Sequence, residues 1–135
     1  MLYKIKDTKT NLYWRGGSAN SKFTKHGKTW NALGHLKNAI INKWIYRIPW
    51  KKGLSPEKLK EETAGLIVEE YSPERIKTYD LFGFIIDVVI KDSKTYYQCE
   101  HCGNIFEYWD MEKSNDGFKF CKECYKFILE NKMEV

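Results

Sequence analysis

Residues 99–124 read CEHCGNIFEYWDMEKSNDGFKFCKEC, and this stretch decides how the last third of the chain folds. Cys99 and Cys102 form one C-x2-C pair, Cys121 and Cys124 form a second, and eighteen residues separate them. That spacing falls in the window of a structural zinc site. A divalent zinc takes four soft ligands in a tetrahedron, and each short pair supplies two thiolates. The chain has four cysteines in all, so none is left over and no coordination position stays open for water. A unit of about 40 residues rarely buries enough apolar surface to fold without a metal, a disulfide or a partner. A disulfide reading would satisfy the same count. Met1–Lys6 turns polar at once, however, so no export leader is expected. In a reducing compartment paired C-x2-C favours metal. We therefore expect one structural Zn2+ per chain, on Cys99, Cys102, Cys121 and Cys124.

The flanking residues set the local fold. Gly103 directly follows the second cysteine, where a knuckle needs positive φ and turns backbone N–H groups toward the thiolates. Tyr96-Tyr97-Gln98 leads in, and Ile105–Trp109 reads as a strand. Asp110–Gly117 reads as a loop with Asp116-Gly117 as turn punctuation. Phe118–Phe120 returns as a strand, and Tyr125–Asn131 reads as a helix. Knuckle, hairpin and a cysteine pair opening a helix: over about residues 96–132 this order resembles a treble-clef zinc finger. A zinc ribbon, with the second pair on another hairpin knuckle, is the alternative, and a helix after Cys124 favours the treble clef. Such a motif is specific for metal and nearly silent about function.

Catalytic constellations are missing from the pattern. His101 lies between two ligands, but four cysteines already fill the tetrahedron. Treble clefs also occur in nucleases with a His-Asn-His arrangement. Here His26, His35 and His101 are scattered, and none falls on the hairpin after the first knuckle. No Ser-His-Asp spacing and no phosphate loop is present, and Glu61-Glu62 and Glu69-Glu70 read as solvated charges. An enzyme is the least expected class.

Upstream, Tyr3 and Ile5 alternate with Lys4 and Lys6 as in a half-buried strand. Asp7–Asn11 is turn chemistry, Leu12–Arg15 resumes the strand, and Gly16-Gly17-Ser18 closes it. A third short strand is expected over Lys22–Lys25, ending at the His26-Gly27 turn. Tyr3, Ile5, Leu12, Trp14 and Phe23 then face inward, with Lys4, Lys6, Tyr13, Arg15, Lys22 and Thr24 outward. Leu33, Leu36, Ile40 and Trp44 form the apolar stripe of a helix from about Asn31 to Trp44. Gly34 costs that helix about 1 kcal/mol against Ala, a cost that close packing on the sheet would explain.

Tyr46–Gly53 is a basic, aromatic connector. Ser55-Pro56-Glu57 is a helix start, and that helix ends near Gly65. Leu66–Tyr71 and Arg75–Tyr79 are extended, separated by Ser72-Pro73. Leu81–Ile90 divides the rules. Asp80 can cap a helix with Phe82, Ile85 and Val89 on one face, whereas the β-branched content favours a strand. Helix is preferred. The fold class expected is α+β: a small antiparallel sheet with a packed helix, of ββ(β)α-β type, over residues 1–92, followed by a treble-clef-like unit over residues 93–135, with the seam at Asp92-Ser93-Lys94.

Charge is divided unevenly. Residues 1–60 carry 14 Lys and Arg against Asp7 and Glu57, a net +12, while residues 61–135 carry a net −7. A basic half of this kind points to a polyanionic partner. The alternative is that the two halves attract each other, within one chain or across a homodimer. Lys4, Lys6, Arg15, Lys22, Lys25, Lys28, Arg47, Lys51 and Lys52 are the candidate nucleic-acid contacts, interleaved with Tyr13, Trp14, Phe23, Trp30, Trp44, Tyr46 and Trp50. Cations neutralise phosphates, and exposed aromatics stack on unpaired bases for about 1–3 kcal/mol each. Trp14, Trp30 and Trp44 are more at home in the core of a small domain. The longest apolar stretch, Leu81–Ile90, is too short to span a membrane, so a soluble, cytoplasmic protein is expected.

The residues Tyr3–Thr10, Leu12–Gly17, Phe23, Gly27–Trp30 and Leu33–Lys37 resemble a group of small uncharacterised proteins of tailed bacteriophages. The resemblance covers about the first 45 residues. It implies a viral origin and action inside a bacterial cell, and it carries no assigned activity. Two functions follow as expectations: a nucleic-acid-binding module, or an effector that binds and inhibits a host protein or defence complex.

Overall fold

A central strand at the very start of the chain organises the molecule. The computed structural model describes residues 1–17, 22–45, 52–115 and 117–130. β1 (Leu2–Asp7) turns back into β2 (Leu12–Trp14) through the expected Asp–Asn turn. Lys9 N donates to Asp7 Oδ1 at 2.9 Å and Asn11 N to Asp7 O at 2.8 Å. Asn11 itself sits at φ 60°, a left-handed conformation that Asn tolerates. β3 (Phe23–Thr24) pairs with β2, placing Phe23 opposite Trp14. The other side of β1 pairs along its whole length with β4 (Leu66–Tyr71), which in turn pairs with β5 (Ile76–Asp80). The result is one five-stranded antiparallel sheet, in the order β3-β2-β1-β4-β5.

One face of that sheet is the core. Tyr3, Ile5, Trp14, Leu66 and Val68 are buried on it against the helical elements. These are α1 (Leu33–Ile40) with its π-helical continuation Ile41–Ile45, α2 (Pro56–Glu62), and α3 (Leu81–Phe84) with its π-helical continuation Ile85–Ile90. Leu36, Ile40, Leu59, Leu81 and Ile85 are fully buried there. At the centre the Trp14 ring lies 5.3 Å from that of Trp30 and 5.1 Å from that of Trp44. The three tryptophans are core residues, as their surroundings in the sequence suggest.

Helix starts follow their caps. Lys58 N donates to Ser55 Oγ at 3.1 Å, with Pro56 in the first turn. Gly83 N donates to Asp80 Oδ2 at 3.2 Å, so residues 81–90 are helical. The inward face of this helix differs from expectation: Leu81, Phe84, Ile85, Val89 and Ile90 are buried, and Phe82 is only partly so. Wider i→i+5 winding after Phe84 shifts which positions meet the core. Gly34 also departs from expectation. It is exposed, and a Cβ built on it would meet no atom within 4 Å, so it serves no close packing.

The metal-binding unit is stitched to this body. β6 (Tyr96–Gln98) and β7 (Ile105–Glu107) form a hairpin whose Tyr96 and Ile105 are part of the main core. After a 3-10 turn, Tyr108–Asp110, come β8 (Met111–Lys113), β9 (Lys119–Cys121) and α4 (Lys122–Glu130). β8 falls inside the stretch read as a loop. Its polar residues have little strand propensity, and what makes it a strand is pairing with β9, Met111 opposite Cys121. Among the described residues no helix is long and apolar enough to cross a membrane.

Candidate metal centre

The four cysteine sulfurs lie within 4.8 Å of one another. Sulfurs in a tetrahedron with bonds of about 2.3 Å stand about 3.8 Å apart, so the cluster is the right size for one metal ion. The first pair sits on the turn between β6 and β7. Cys99 N donates to Asn104 O and Gly103 N to Cys99 O, each at 2.9 Å, and Gly103 takes φ +80°. The turn aims the N–H groups of His101 and Cys102 at Cys99 Sγ, at 3.4 and 3.5 Å. Such N–H···S bonds orient a thiolate ligand and disperse its charge.

The second pair comes from a different kind of element. Cys121 ends β9 and Cys124 lies in the first turn of α4, where the helix dipole favours negative charge. This is the treble-clef order, and it excludes the ribbon alternative for the second pair. Glu100 ties the first knuckle to β9, which carries Cys121. Its N–H donates to Lys119 O at 3.0 Å, and its carboxylate accepts from Lys119 N at 2.7 Å. Phe106, Phe120 and Ile128 close a small core around Cys99 and Cys121. His101 lies outside the sulfur cluster, with its ring 5.8 Å from that of Phe127.

The thiols are not equivalent. Burial works to raise the Cys99 pKa, but the N–H groups of Cys102, Cys121 and His101 outweigh it and hold the thiol at about 7. Burial, together with the bond to Cys99, pushes Cys102 up to about 11 against the N–H of Asn104. Cys124 is pushed up as well, by burial and then by its bonds to Cys121 and Cys102. Cys99 therefore ionises before Cys102 and Cys124, and its charge discourages theirs. A bound cation reverses that balance, because each remaining proton then competes with the metal.

The basic candidates divide into groups. By strand alternation Lys4, Lys6, Arg15 and Lys22 share the sheet face opposite the core. Lys6 pairs with Tyr13, and Arg15 N donates to Lys22 O at 3.4 Å. Lys4 Nζ and Lys6 Nζ stand 4.7 and 5.7 Å from the Tyr13 ring centre, and Lys4 Nζ also donates to His26 O at 2.8 Å. Lys25 is exposed just beyond β3. Lys28 departs from the group, with Nζ 5.5 Å from the Trp30 ring. Lys52 lines a cleft beside the metal-binding unit. Arg47 and Lys51, like Trp50, lie outside the described residues.

Toward β4 the open face changes character. Glu69, only 8% exposed, stands opposite Lys4 and accepts a 2.6 Å bond from Tyr71 Oη. Lys37 and Asp92, 3.6 Å apart, link the basic and acidic halves.

Sequence reasoning missed the aromatics on the surface of the metal-binding unit. Trp109 and Tyr108 are each 53% exposed with rings 4.9 Å apart, and Phe127 is 47% exposed. The signal was there: a core as small as this one cannot hold every aromatic in residues 105–128. No protein-family model, no curated protein and no solved structure matches this chain.

Proposed function

We propose that the chain is a non-enzymatic nucleic-acid-binding module whose C-terminal unit holds one structural Zn2+. An all-sulfur, closed donor set favours zinc over harder divalent ions and leaves no position for catalytic water. One observation carries the binding reading: Lys4, Lys6, Arg15 and Lys22 share the open sheet face, with Lys4 and Lys6 over the Tyr13 ring. Cations spread over a flat face suit a phosphate backbone, and a flanked aromatic suits contact with bases. The test is titration with duplex and single-stranded oligonucleotides at two salt concentrations. Binding should weaken steeply with salt, and neutralising Arg15 and Lys22 should lower the salt slope by about 1 for each lost phosphate contact. Absence of binding at low salt would remove this reading.

A second reading is favoured by Tyr108, Trp109 and Phe127, which present apolar surface on an acidic unit. Exposed aromatics of this kind are typical anchors of protein interfaces. Together with the resemblance of the first 45 residues to bacteriophage proteins, this supports an effector acting on a host protein. Capture of one defined host complex by the wild type, and its loss in Trp109→Ala with metal content unchanged, would favour this reading over the first.

A further inference from the structure

One well-formed cleft lies away from the sheet face. It opens between the β1–β2 turn, the end of the α1 helix, α2 and the metal-binding unit, with a volume of about 830 Å³. That lies within the range of about 300–1,000 Å³ typical of small-ligand sites. We propose that this cleft is a binding site for a phosphate-rich anion, held by Lys9, Lys43, Lys52 and Lys58.

The four lysines reach the cleft from three separate pieces of chain, with Lys52 and Lys58 on one of them. Local sequence therefore does not explain their convergence, and each brings a charge that repels the others. Two carboxylates share the lining, Asp7 and Glu62. Asp7 is already engaged, its Oδ1 accepting from Lys9 N. Among the described residues the lining thus keeps a net charge of about +2, and an excess of positive charge in a cleft concentrates anions.

Two of the lysines are held in place. Lys43 is partly buried, with its Nζ 5.7 Å from the Trp14 ring centre and 5.4 Å from that of Trp44. Burial lowers its pKa, with Glu62 opposing, so an arriving anion would favour its charged form. Lys52 is fixed through its backbone. Its carbonyl accepts from Asn104 Nδ2 at 3.1 Å, and the next residue, Gly53, lies at φ +72° against the Phe106 ring. Asn104 belongs to the first cysteine knuckle, so the metal-binding unit forms one wall of the cleft.

Phosphates of this kind come from a free oligophosphate or nucleotide, or from a strand of nucleic acid. The site stands apart from the sheet face and does not depend on it. The test uses the whole 135-residue chain loaded with zinc, and calorimetry with tripolyphosphate, ATP and a short single strand. Tripolyphosphate should bind saturably below about 1 mM. A Lys52→Glu, Lys58→Glu variant should lose about tenfold or more in affinity, a fold-change well above experimental scatter. Both residues are exposed, so its thermal midpoint should stay unchanged. A Lys4→Glu, Lys6→Glu variant should bind tripolyphosphate as the wild type does. Competition between the strand and tripolyphosphate upholds the site and assigns it to nucleic-acid phosphates; binding of both without competition upholds it and assigns it to a free phosphate compound. No saturable binding, or equal binding by the Lys52/Lys58 variant, overturns the proposal. Failure of the strand to bind anywhere would sink the sheet-face reading alone.

Discussion

Leu54 and Ile105 exchange two backbone hydrogen bonds, each 2.8 Å. One residue precedes α2 and the other opens β7, so this bridge joins the metal-binding unit to the main sheet domain. Both side chains are buried in the main core. The seam expected at residues 92–94 is thus crossed by a backbone bridge and by the shared burial of Tyr96 and Ile105.

Gly53 is what lets that bridge form. At φ +72° a Cβ would stand 2.6 Å from the Phe106 ring. Gly53→Ala combines a left-handed backbone, about 1–2 kcal/mol, with overpacking of about 1–3 kcal/mol. We expect a loss of about 2–5 kcal/mol of stability in urea unfolding. An unchanged midpoint would show that Phe106 moves aside freely.

Metal removal should unfold the C-terminal unit first, because its own core is little more than Phe106, Phe120, Ile128 and two cysteines. Chelation, or Cys121→Ser, should abolish the metal signal and expose the amides of α4 to hydrogen exchange, while β1 and β4 stay protected. Loss of protection in β1 as well would mean that the two parts unfold as one.

Acid should release the metal. The Cys99 pKa is lowered from the ordinary 9.0 to about 7. A depressed acid contributes in full above its unfolded value and loses its contribution as pH falls through the folded one. A chromogenic metal-release assay should therefore show affinity falling as pH drops, and falling more steeply below about 7, where Cys99 takes up its proton as well. A flat profile down to about pH 5 would contradict thiolate ligation.

Trp14→Ala should be severe. The side chain is fully buried and touches the rings of Trp30 and Trp44, and large-to-small changes of this type cost about 3–5 kcal/mol. Gly34→Ala should do the opposite. Its helix position is exposed and open, so a gain of about 0.5–1 kcal/mol is expected in the same unfolding experiment.

What could be read in advance was local chemistry. Asp80 capped its helix and Ser55 did the same, and Asp7 with Asn11 made the turn. The cysteine spacing foretold the cluster of four sulfurs, because each pair is placed by a short stretch of chain. Illegible were the arrangements that need distant residues. Nothing around Leu66 announces that β4 pairs with β1, and nothing around Met111 announces a strand. The cleft was invisible for the same reason, since its lysines come from three distant pieces of chain. Lys52, read as one more basic residue of a connector, belongs to that cleft and not to the face that carries Lys4.

The sheet order has a consequence for how the chain folds during synthesis. β1 precedes the other four strands in sequence, yet it lies at the middle of the sheet, and its long partner β4 ends at Tyr71. Closing that loop costs entropy before any pairing rewards it, which slows folding. Until about half the chain has left the ribosome, Tyr3 and Ile5 remain on an open strand edge. Ribosome-bound chains stopped before residue 66 should be open to protease within β1, and chains stopped well past Tyr71 should resist it.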